Sequence, residues 1–134
     1  MTLPLTKRAV VASLISALSA TAISSAKAEI KDYEFQLVDA SPKAGVAVIE
    51  VRLFNKKTGK SVPDAVISAS RIDMAPAGME TMTSRIEQTP STEPGVYRFR
   101  TNLTMEGGWR LSLAAKVQGE VGTVESRLVL KAVK

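Results

Sequence analysis

The 134-residue sequence has no cysteine and no histidine, and only three Phe, two Tyr and one Trp. Without cysteine there are no disulfides and no thiolate ligands, so the fold must be held by its core. Without histidine the chain lacks the commonest general base and the commonest metal ligand. Together these absences exclude Ser-His-Asp and Cys-His catalysis and the His/Cys zinc sites. The spacing of the carboxylates suggests no acid/base pair, and no glycine loop of the phosphate-binding kind is present. The sequence therefore does not read as an enzyme. A sustained 3.6-residue apolar period is also missing, which argues against long helices.

The N-terminal segment reads as a secretory signal. Lys7 and Arg8 precede an apolar stretch over residues 9–23, and Ser24, Ser25, Ala26, Lys27 and Ala28 follow it. Ala26-x-Ala28 fits the small-residue cleavage rule, which predicts a cut after Ala28 and a mature chain starting at Glu29. The apolar stretch is 15 residues long, short of the roughly 20 that span a bilayer. The expected product is a periplasmic protein with no membrane span after cleavage. Three of the 18 Lys and Arg lie in the signal and none of the 13 Asp and Glu, which leaves 15 cations against 13 anions. No basic run with interleaved aromatics remains, so nucleic-acid binding has no support.

Residues 29–134 read as a single β-domain, taken as a monomer. Tyr33, Phe35 and Leu37 alternate with polar neighbours, and so do Ala47, Ile49, Val51 and Leu53. Strands are expected also over residues 65–72, 82–87, 97–103, 109–117 and 121–133. Turn signals at residues 55–59, 89–95, 107–108 and 118–120 separate them. About seven short strands in this length predict an antiparallel β-sandwich, with Trp109 at its centre.

One segment is not required by folding. Between two strands lies Asp73-Met74-Ala75-Pro76-Ala77-Gly78-Met79-Glu80-Thr81-Met82, and Met105 precedes the Gly107-Gly108 turn. Thioether sulfur is a soft donor that selects Cu(I) and needs no deprotonation. Met74, Met79, Met82 and Met105 are therefore candidate ligands for Cu(I) or Ag(I). Asp73 and Glu80 have two readings, weak oxygen ligands or solvated loop charges. Trp109 is either a core anchor or a cation-stacking face. Methionine also fills irregular core gaps. By strand parity Met105 points inward with Tyr97, Phe99 and Leu103, and Met82 shares parity with Ser84 and Ile86.

The order of Pro63-Asp64-Ala65, Asp73-Met74-x-Pro76-x-Gly78-Met79-x-x-Met82, Gly95-x-Tyr97-x-Phe99 and Leu103-Thr104-Met105-x-Gly107-x-Trp109-x-Leu111 resembles the YtkA-like / FixH-like family of small exported bacterial proteins. The resemblance spans roughly residues 45–132. It implies an immunoglobulin-like sandwich linked to copper or heavy-metal handling, with the four methionines as ligands. FixH-type members carry a membrane anchor, whereas the N-terminus of this chain reads as a cleavable signal. Two functions follow. One is a soluble periplasmic Cu(I)/Ag(I) carrier or efflux accessory, whose partner is an efflux-pump component or a copper-accepting envelope protein. The metal would not be required for folding. The other is a metal-free interaction module of the envelope.

Overall fold

The computed structural model describes residues 29–134. The signal sequence read from residues 1–28 lies outside them. Among the described residues no helix is long and apolar enough to cross a membrane.

Eight strands follow a short 3-10 turn at Ile30–Asp32: β1 Tyr33–Leu37, β2 Gly45–Asn55, β3 Val66–Met74, β4 Met79–Ser84, β5 Ile86–Thr89, β6 Val96–Leu103, β7 Gly107–Lys116 and β8 Val124–Ala132. They form two antiparallel sheets of order β1-β2-β6-β5 and β4-β3-β7-β8. Two four-stranded sheets facing each other in this order make an immunoglobulin-like sandwich. The expected fold class holds, with eight strands in place of about seven. The segment read as one strand over residues 82–87 is two. β4 pairs with β3, and one residue later β5 pairs with β6. The chain thus changes sheets at Arg85. Thr101 Oγ1 donates to the Arg85 carbonyl at 2.7 Å, which holds the crossing point.

The opposite side of the sandwich is closed in a similar way. After β1 the chain leaves the first sheet and runs beside the end of β8. Lys131 N–H donates to Ala40 O, Val133 N–H to Pro42 O, and Ala44 N–H to Val133 O. Two strand switches therefore join the sheets in a chain without disulfides.

The core follows from alternation, because successive strand side chains face opposite sides. Ala47, Ile49, Val51 and Leu53 of β2, Tyr97, Phe99 and Leu103 of β6, and Trp109, Leu111, Leu113 and Ala115 of β7 are all buried. Burial of each large member contributes about 1.5–3 kcal/mol. Trp109 is fully buried, as the sequence predicts for a core anchor. Tyr97 keeps its hydroxyl satisfied by donating to Val62 O at 2.6 Å and accepting from Ala65 N–H at 2.9 Å. That pair of bonds pins the β2–β3 connection to the core, and burial raises the phenol above its ordinary value.

Candidate functional site

The β3–β4 and β6–β7 connections lie at one pole of the sandwich. Antiparallel pairing dictates this, since β3 and β6 both run toward that pole. The β3–β4 connection is short. β3 ends at Met74, residues Ala75–Ala77 make one 3-10 turn opened by Pro76, and Gly78 turns the chain at φ 77°. Such a left-handed φ favours glycine. β4 then begins at Met79, which sits opposite Met74 in the ladder. Met79 is half-buried against the core.

The second connection meets the first through two glycines. A Cβ at Gly108 would lie 2.8 Å from the Pro76 Cβ, and one at Gly107 would lie 3.4 Å from the Met74 methyl. Only glycine at position 108 lets β7 begin so close to the Pro76 turn. Trp109 Nε1–H donates to the Met105 carbonyl at 3.0 Å. The buried indole thus fixes the backbone of the Met105 turn, and no ring face is left open for a cation.

Strand direction brings the remaining methionine to the same place. Ser84 Oγ–H donates to Asn102 O at 2.6 Å, across from β4 to β6. From that contact β4 traced backward and β6 traced forward both approach the pole. Two residues along one path stands Met82, and three along the other stands Met105. All four sequence-predicted methionines therefore gather at one end of the fold.

Their exposure differs. Met74 is 1% exposed, whereas Met82 is 39% and Met105 43% exposed. One expectation is corrected here, and the position of Met82, which strand parity left open, is fixed. Met105 does not point inward, because β6 ends at Leu103 and the strand parity ends with it. Met82 is not core, because β4 is an edge strand whose pairing with β3 is irregular. The register passes from Asp73↔Thr83 to Met74↔Met79, so residues 80–82 are looped out as a bulge.

Asp73 is a structural clamp rather than a loop charge. Its side chain is fully buried. Oδ1 accepts the Ala75 N–H at 2.9 Å, and Oδ2 accepts Arg71 Nε at 3.1 Å and Arg110 Nη2 at 3.0 Å. Burial pushes its pKa up, but the Ala75 N–H and the two guanidiniums outweigh this and hold it below the ordinary value. With these bonds made, the carboxylate orients the turn between Met74 and Met79 and is not free to ligate a cation. Glu80 is exposed and gives its backbone carbonyl to Arg71 Nη2 at 3.2 Å. Sequence reasoning missed Arg71 and Arg110. The alternation Arg71-x-Asp73 on one strand face was the available signal.

Among the described residues no three acidic side chains stand close enough to hold a cation.

The family model described as YtkA-like matches residues 27–114. No curated protein matches the sequence. Among solved structures, the filamin domain of Lin-41 is 16% identical, with 78% of this chain and 93% of that one covered and a TM-score of 0.47. The C-terminal domain of ZirS is 11% identical, with 98% and 84% covered and a TM-score of 0.46.

Proposed function

The chain belongs to the YtkA-like family, and from the methionine pole of this member we propose that it is a periplasmic Cu(I)/Ag(I)-binding protein, a metal carrier or an accessory to efflux. The observation that carries the reading is the convergence of the Met74–Met79 ladder pair, the Met82 bulge and the Met105 turn at one pole. Thioethers suit a soft cation of low coordination number, and the differing exposure of the methionines at this pole supports the reading. Met82 and Met105 are solvent-exposed and take the cation first. Met79 is half-buried against the core and takes part next. Met74 joins only if the Pro76 turn and the Met105 turn move apart. Release is the reverse exchange, thioether by thioether, onto a partner of the envelope such as an efflux-pump component.

The burial of Met74 favours a second reading, a metal-free interaction module in which the methionines are packing and contact surface. Titration of the mature domain with Cu(I) against a competing chelator separates the two. Near one equivalent bound, and loss of binding in Met79→Leu/Met82→Leu/Met105→Leu with folding retained, supports the carrier. Uptake below about a tenth of an equivalent, or binding unchanged in that triple variant, leaves the interaction module.

A further inference from the structure

Asp32 is a carboxylate outside the methionine pole that no part of the proposed function uses. Its side chain is 8% exposed. Oδ2 accepts the backbone N–H of Glu29 at 2.9 Å. Its one ion-pair partner among the described residues is Lys57 Nζ at 3.5 Å, on a side chain that is 59% exposed. A long contact to a solvated ammonium meets a buried carboxylate poorly. The group that approaches it closely is the Glu29 nitrogen, and in the unprocessed chain that nitrogen is a neutral amide.

The export cut expected from the sequence, on which the inference rests, falls at the bond just before this nitrogen. Hydrolysis of the Ala28–Glu29 amide by a signal peptidase adds one water. The hydroxyl stays on the Ala28 carboxyl group, and the proton goes to the Glu29 nitrogen. At neutral pH that amine takes a second proton from solvent and becomes an ammonium. We propose that Asp32 is the seat for the α-ammonium created when the chain is cut after Ala28, so that export processing converts a neutral hydrogen bond into a buried-side ion pair that locks the N-terminus onto the sandwich.

The surroundings suit this role. Asp32 O accepts Lys56 N–H at 2.7 Å, which ties the Ile30–Asp32 turn to the β2–β3 connection. A Cβ at Gly122 would lie 3.2 Å from Ile30 Cγ1, so Ile30 rests on the β7–β8 connection. The nitrogen is therefore held in place from two sides before any charge is added. The charged groups around the seat are Lys57, Lys31 with the Glu29 carboxylate it pairs at 3.2 Å, and Tyr33, whose hydroxyl donates to Glu120 at 3.3 Å. Of these groups, Asp32 is the one whose carboxylate is in hydrogen-bond contact with the Glu29 nitrogen.

The test compares the chain beginning at Glu29 with the same chain beginning at Ala28, each with and without Asp32→Asn. The Ala28 form keeps the amide bond at Glu29 and so keeps the neutral contact. The Glu29 form is expected to melt about 4 °C higher near pH 7. Asp32→Asn is expected to close the gap, since its effect on Lys57 is common to both forms. The α-amine, followed by NMR, is expected to titrate about one unit above its ordinary range of about 7.7–8.0. A raised folded value means the extra stability is complete below the ordinary range of about 7.7–8.0 and is lost as pH rises through the higher folded value. Equal melting of the two forms, a gap that survives Asp32→Asn, or an α-amine at its ordinary value overturns the proposal. If Asp32→Asn does not fold, the α-amine titration of the unsubstituted chain decides. An exported protein whose mass shows a start other than Glu29 overturns it as well, independently of the melting data.

Discussion

A carboxylate with no solvent contact is costly unless its charge is met, and Asp73 is met by three donors. Two are guanidiniums on different strands, and the third is the first N–H of the Pro76 turn. Its replacement by Asn keeps an acceptor for Ala75 but removes the charge that both arginines answer. Asp73→Asn is expected to lose about 3 kcal/mol of stability, read from urea unfolding at neutral pH. The pH dependence has a definite sign. The folded carboxyl sits below its ordinary value of 3.8, so its contribution is complete above that value and is lost as pH falls through the folded one. The gap between parent and Asp73→Asn is therefore expected to be constant from about pH 7 to about pH 5 and to narrow once pH falls below 3.8. A gap that does not change with pH would assign the loss to packing instead of charge.

At the scale of elements, the pole depends on how closely two turns approach. The Gly108 backbone lies against the Pro76 ring, which is rigid and cannot swing aside. Gly108→Ala must push the Ala75–Ala77 turn away from the start of β7. The expected cost is about 2 kcal/mol, with weaker Cu(I) retention because Met74 and Met79 flank the displaced turn. Parallel denaturation and chelator-competition measurements check both effects, and unchanged values for both would show that the turns are not in firm contact. The same elements show where sequence reasoning succeeds and where it stops. β2, β6 and β7 are legible because each buries one face, and Ala47 to Leu53, Tyr97 to Leu103 and Trp109 to Ala115 alternate without a break. β4 is not legible, because Met79, Glu80, Thr81, Met82, Thr83 and Ser84 form an edge strand with no alternation and a bulge. The change of sheets at Arg85 is a tertiary event that leaves no local mark. The clustering of methionines can be read from the sequence, but their exposure depends on the end of β6 at Leu103 for Met105 and on the irregular β3–β4 pairing for Met82. The clamp on Asp73 needs Arg110, which is 37 residues away and invisible to local reasoning.

For the whole molecule, the relevant fact is that no histidine or cysteine occurs anywhere in the chain. Thioethers are therefore the only soft side-chain donors the chain has, and they do not titrate. The pole also spans both sheets. Met74, Met79 and Met82 lie on strands of the second sheet, and Met105 lies on the connection that leaves the first. On the carrier reading, a cation shared between these donors would link the sheets at the end away from the N-terminal turn, and donors brought together by the fold would favour the folded chain. Linkage then fixes the size of the effect, about 2.7 kcal/mol at a free concentration of one hundred times Kd. For a domain of this length that corresponds to a rise in Tm of about 10 °C. With Ag(I) in a chloride-free buffer the increment is expected to be the same at about pH 8 and about pH 5, because no donor gains or loses a proton in that interval. It is also expected to disappear in the Met79→Leu/Met82→Leu/Met105→Leu variant, whose own Tm stays close to that of the parent because the deeply buried Met74 is intact. An increment that fades between about pH 6 and about pH 4 would assign the cation to carboxylates such as Glu80. An increment that the triple variant retains would remove the thioethers from the site.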